Sequence, residues 1–130
     1  MKWLKDWKIF ENSSDDMVRT VKEILLELND IGLQTKVTYN TDKFLTSSIN
    51  VTIYKYDLLN SEFGDGGYMR YQISDVIDTI FRLNTYLTDL NYKPSSIYVI
   101  FQGRSYSYTL DELKDDLDSE VNYISLEFDK

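Results

Sequence analysis

Two hydrophobic periods divide this chain into elements. Between positions 73 and 90 the apolar side chains fall at Ile73, Val76, Ile77, Ile80, Phe81, Leu83, Leu87 and Leu90. Steps of three and four place them in one stripe along a helix. Ser74 is positioned to cap the helix by accepting from unpaired backbone N–H groups. Asp75 and Asp78 lie near the positive end of its dipole, and Pro94 bars continuation beyond the last turn. Residues 97–101 (Ile-Tyr-Val-Ile-Phe) form a short apolar run rich in β-branched and aromatic residues, which predicts a strand covered on both faces.

A second helical stripe runs through Met17, Val21, Ile24, Leu28 and Ile31, widened by Val18 and Leu25. It opens at Ser13 and closes at Gly32, which supplies a left-handed residue. Residues 33–39 and 49–54 alternate with a period of two around the turn-forming Asn40-Thr-Asp-Lys, as an antiparallel hairpin with one wet face does. Thr109 and Glu112 fit a capping box for a short helix with Leu110, Leu113 and Leu117 inward. Residues 121–128 then close the chain as a strand, with Ile124, Leu126 and Phe128 on one face.

The predicted order is α-β-β-α-β-α-β. The fold class is α+β, a two-layer sandwich in which a four-stranded, mostly antiparallel sheet carries the helices on one face. The expected core is Val21, Ile24, Leu25, Leu28, Val37, Val51, Ile53, Ile77, Ile80, Phe81, Leu87, Val99 and Phe101. Residues 1–130 read as a single domain, of a size that buries roughly two-thirds of its unfolded surface. Residues 1–11 form an arm bearing Trp3 and Trp7 among three lysines; two tryptophans so close either fold back on the core or anchor a partner. Residues 57–71, with three glycines in a span of four, read as a connector or interaction loop.

Composition narrows the chemistry. There is no cysteine and no histidine, so disulfides, Cys-based zinc sites, Cys nucleophiles and His-dependent triads are excluded. The net charge is −8, a sign that opposes direct nucleic-acid binding. No apolar run approaches the ~20 residues that span a bilayer. The opening mixes charges where a secretory signal would be apolar, so the expected location is cytoplasmic. Eleven tyrosines serve strands, a contact surface, or both.

Acidity is concentrated. Asp111, Glu112, Asp115, Asp116, Asp118 and Glu120 face a single Lys114, giving a local charge of −5. On a continuous helix Asp111, Asp115 and Asp118 would project together, with Glu112 and Asp116 beside them. Such runs are ordinarily solvated faces. The spacing and missing glycine rule out an EF-hand, and neither a metal nor a cofactor is expected. As a functional surface the run would dock a basic protein partner. Carboxylates one turn apart stand about 6 Å from each other, near the spacing of strand phosphates, so such a helix would also serve as a DNA mimic. No carboxylate pair sits among apolar residues, and neither a Gly-x-Ser-x-Gly nor a Ser-x-x-Lys pattern occurs, so no enzymatic activity is expected.

The opening Met-Lys-Trp-Leu-Lys followed by Lys-Ile-Phe-Glu-Asn resembles the start of many small tailed-bacteriophage proteins. Some of those also share a helix ending in Gly, two strands, a Leu-rich helix and a closing strand. The resemblance implies a phage accessory protein acting in the cytoplasm of a bacterial host. The resulting expectation is a non-catalytic protein-binding accessory factor of phage or mobile-element origin. Alternatives are an acidic DNA-mimic inhibitor of a host nucleic-acid-binding enzyme and a minor virion structural protein. The candidate binding residues are Asp111, Glu112, Asp115, Asp116, Asp118, Tyr106, Tyr108, Trp3 and Trp7.

Overall fold

The computed structural model describes residues 16–41, 47–56 and 68–130. The arm with Trp3 and Trp7, the opening of the first helix at Ser13 and the glycine cluster lie outside these residues. The chain has an α+β fold. Helix α1 (residues 16–25) tightens into a 3-10 helix over Leu26–Ile31 and ends at Gly32, whose φ of 85° is the left-handed conformation expected there. Its buried residues are Met17, Val21, Leu25 and Leu28, spaced four, four and three apart as a 3.6 period requires. That face excludes two expected members of the stripe: Ile24 is half-buried and Ile31 is exposed.

Strands β1 (Gln34–Thr41) and β2 (Ser47–Tyr56) form the antiparallel hairpin anticipated from their alternation. Two short strands follow, β3 (Tyr68–Met69) and β4 (Tyr71–Gln72), then a 3-10 turn at Ile73–Asp75 and helix α2 (Ile77–Asp89). Strand β5 (Lys93–Phe101) turns back into β6 (Arg104–Ser107), and helix α3 (Leu110–Asp115) leads to β7 (Glu120–Val121) and β8 (Tyr123–Asp129).

The sheet therefore has six strands, not four. Five follow the order β1-β2-β8-β5-β6, β3 extends the end of β2, and every pairing is antiparallel. Strands β4 and β7 make a separate ribbon. Three of the additional strands have two residues each, too short to display a period of two in sequence. The expected closing strand is split at Asn122 into β7 and β8.

The centre of the sheet is β8, paired with β2 on one side and β5 on the other. Strand β5 is covered on one face only: Ile97 and Val99 are buried, whereas Tyr98 is exposed. Pro94 belongs to this strand and sits beside a register shift between Pro94 and Ser96, where a missing N–H is tolerated. The residue that ends α2 is instead Asn91, at φ 70°. Nor does Ser74 cap α2. The Asp75 carboxylate accepts from the Gln72 backbone N–H at 3.1 Å, and the Ser74 hydroxyl donates to Gln72 Oε1 at 3.4 Å.

Ile49, Val51 and Ile53 on β2, Ile97 and Val99 on β5, and Ile124, Leu126 and Phe128 on β8 share one face. They join Val21, Leu25, Ile77, Ile80, Leu83, Leu87 and Leu113 in one core. Val37 and Phe81 pack against this core half-buried, and Phe101 is also half-buried. The helices are tied directly as well, because Glu27 accepts from Thr79 and pairs with Arg82. On the opposite face Lys36, Thr38 and Tyr98 are exposed. No described helix is long and apolar enough to cross a membrane.

Candidate functional site

The β5–β6 hairpin separates two hollows. Its turn residues Gln102 (φ 52°) and Gly103 (φ 78°) are both left-handed, as a two-residue hairpin turn matched to sheet twist requires. In the resulting register Val99 faces Tyr106 and Phe101 faces Arg104, while Tyr98 faces Ser107 and Ile100 faces Ser105. Strand alternation sends Val99, Phe101 and Tyr106 to the helix-bearing side and Tyr98 and Ile100 to the other.

On the helix-bearing side, Val99, Phe101, Tyr106, Tyr108, Ser119, Glu120 and Val121 line a hollow of about 230 Å³. Tyr108 continues the hairpin ladder, donating its backbone N–H to Ile97 O at 2.8 Å. Thr109 then caps α3. Its hydroxyl accepts from the Glu112 N–H at 3.1 Å, and the Glu112 carboxylate accepts from the Thr109 N–H at 3.2 Å. This is the predicted capping box, and it anchors Leu113 in the core.

The acidic run does not form one helical face. The helix stops at Asp115, because the next segment is drawn onto the 3-10 turn that precedes α2. Ser74 N–H donates to Leu117 O at 3.0 Å, and Ile73 N–H donates to Ser119 O at 3.1 Å. Asp118 therefore lies in a turn, off the face that carries Asp111 and Asp115, and Leu117 is exposed instead of buried. This corrects the expectation of stacked carboxylates on which mimicry by a helix would rest.

The acids also divide by role. Glu112 caps the helix. Asp116 is half-buried and accepts from the Tyr108 hydroxyl at 2.9 Å. Glu120 meets Arg70, Oε2 to Nη1, at 3.5 Å. Asp111, Asp115 and Asp118 are exposed and make no ion pair with any described residue. Burial, with the neighbouring Asp116, raises the Tyr108 pKa, which keeps the phenol protonated and donating. No group of three or more carboxylates among the described residues is arranged to hold a metal ion.

Of the expected binding residues, Tyr106 and Tyr108 line this hollow and Asp116 bonds to Tyr108; Asp115, Asp116 and Asp118 line an adjoining hollow of about 460 Å³ with Lys114, Leu117 and Ser119, and Asp111 and Glu112 lie in the first turn of α3. Tyr106 is 45% exposed. Trp3 and Trp7 lie outside the described residues. Arg70 was not among the expected site residues, Glu120 was counted only in the acidic run, and Phe101 was expected only in the core. The Arg70 guanidinium carbon lies 5.5 Å from the centroid of the Phe101 ring. The β4–β7 pairing, Tyr71 opposite Val121 and Gln72 opposite Glu120, brings these groups together from distant parts of the chain.

On the opposite side, Tyr68, Ile100, Gly103, Asn122 and Tyr123 line a wider recess of about 410 Å³. Tyr54, Tyr68 and Tyr123 pack at its edge, with ring centroids 5.5 to 6.3 Å apart. Asn122 ties β3, β5 and the β5–β6 turn together here. Its Oδ1 accepts from the Gln102 N–H at 2.9 Å, its Nδ2 donates to Tyr68 O at 3.2 Å, and its backbone N–H donates to Ile100 O at 2.8 Å. Tyr54 and Tyr123 occupy the polar phase of their strands beside Thr52 and Ser125, and that placement was the available signal.

No family model, curated protein or solved structure matches this chain.

Proposed function

We propose that the protein is a non-catalytic binding factor, of the phage accessory kind its opening resembles, that docks a basic segment of a protein partner on α3 and the turn after it. One observation carries this reading. Asp111, Asp115 and Asp118 are exposed and form no ion pair with a described residue, and Asp115 and Asp118 line a hollow that shares Ser119 with the aromatic one of Tyr106 and Tyr108. A carboxylate already paired within the fold must give up its partner to bind another cation; these three need not. The other acids of the run serve the fold, so the binding charge is smaller and more localised than the sequence total.

The test is titration of a fluorescent arginine-rich peptide at low salt. Changing Asp111, Asp115 and Asp118 together to Asn should weaken binding by about tenfold, since each exposed pair contributes roughly 0.2–1 kcal/mol. Affinity of the parent should fall as salt screens these charges. Equal binding by the triple variant and the parent at low salt refutes this reading.

A further inference from the structure

Resting on that reading, we infer that the hollow between the β5–β6 hairpin and the α3–β7 segment receives an arginine side chain of the partner, and that Arg70 occupies its mouth as an internal competitor. The hollow offers both contacts that distinguish a guanidinium from other cations. Its walls include the rings of Phe101, Tyr106 and Tyr108, and Glu120 places a carboxylate among them. A planar guanidinium stacks on a ring while donating in its own plane to a carboxylate; a lysine ammonium lacks that planar stacking surface.

Arg70 already makes this pair of contacts, over Phe101 at 5.5 Å and toward Glu120 at 3.5 Å. It makes them weakly. The Arg70 and Glu120 side chains are 56% and 48% exposed, and such a pair contributes little, so an incoming arginine displaces Arg70 at small cost. Other cations among the described residues are Arg104, opposite Phe101 in the hairpin, and Lys114 on α3. With Arg70 they face six carboxylates between positions 111 and 120, so the surroundings still favour a cation.

The experiment compares arginine-rich and lysine-rich peptides of equal length against the full-length protein. Arg70→Ala should bind the arginine peptide about two- to fivefold more tightly, because the competitor is gone. Glu120→Gln should weaken it, and Phe101→Leu, which keeps an apolar side chain but removes the ring face, should weaken the arginine peptide more than the lysine peptide. Arg70→Lys should fall between the parent and Arg70→Ala. If the parent binds and the triple Asn variant does not, yet Arg70→Ala and Phe101→Leu leave the arginine peptide unchanged, the docking reading stands and the arginine pocket is wrong. If the parent fails to bind the arginine peptide at low salt, both fall.

Discussion

The two hollows flanking the β5–β6 hairpin differ in what their polar groups are doing. The outer recess is the larger, but its walls are committed to the fold: three tyrosine rings pack on one another, and Asn122 donates and accepts with its side-chain amide. The inner hollow is smaller; its one lining carboxylate, Glu120, is held only by an exposed pair with Arg70, and the hollow adjoining it carries Asp115 and Asp118, which form no ion pair with a described residue. Between these two, size alone would select the outer recess. Uncommitted charge selects the inner one, because a group without an internal partner gains most from an external one.

The largest expected effect tests the structural half of this contrast. Asn122→Ala removes the acceptor for the Gln102 N–H and the donor for the Tyr68 carbonyl at a residue only 6% exposed. Losing these two part-buried hydrogen bonds should lower unfolding free energy by about 1–3 kcal/mol in urea titrations. Peptide binding at the inner hollow should persist under native conditions. A loss below about 0.5 kcal/mol would show that the outer recess is not a structural junction.

Asn122 also marks where sequence reading stops. Local rules located the Thr109–Glu112 capping box, the left-handed Gly32 and the β1–β2 hairpin, because period and capping are written within a few adjacent residues. Long-range pairing is not written that way. The alternation of Ile124, Leu126 and Phe128 identified a strand, but not that it would be central, which depends on pairing with β2 and β5. Tyr106, Tyr108 and the acids were legible as candidate binding residues. Their junction with Arg70, Phe101 and Glu120 was not, because a ribbon of two-residue strands creates it.

A second test compares tyrosines by depth. Burial is the largest cause raising the pKa of Tyr71, Tyr92, Tyr108 and Tyr123, and Tyr71, whose hydroxyl donates to Ile53 O at 2.6 Å, is raised well above the ordinary value. Each folded-state pKa exceeds the unfolded one near 10, so the folded chain keeps protons that the unfolded chain releases. Stability is therefore full below about pH 10 and falls as pH rises through the folded values. Tyr71→Phe should make that alkaline decline shallower than Tyr108→Phe does, measured as unfolding free energy against pH. An equal decline in both variants would remove the distinction between buried and peripheral tyrosines.

The smallest expected effect separates structural from binding acids inside a single turn. Tyr108→Phe deletes the hydroxyl that donates to Asp116, a half-buried contact at 2.9 Å. Partial exposure places its loss near the neutral hydrogen-bond value, about 1 kcal/mol, despite the charged acceptor. The aromatic wall is kept, and Asp116 gains freedom to meet a cation. Arginine-peptide affinity should therefore hold within about twofold while stability falls, whereas the Asp111, Asp115 and Asp118 changes should weaken affinity and leave stability within about 0.5 kcal/mol. The two variants make opposite changes only if binding rests on carboxylates the fold leaves unpaired. Were Tyr108→Phe to lower affinity as much as the triple Asn variant, the phenol–carboxylate contact would itself belong to the binding surface, and the division between the two kinds of acid would fail.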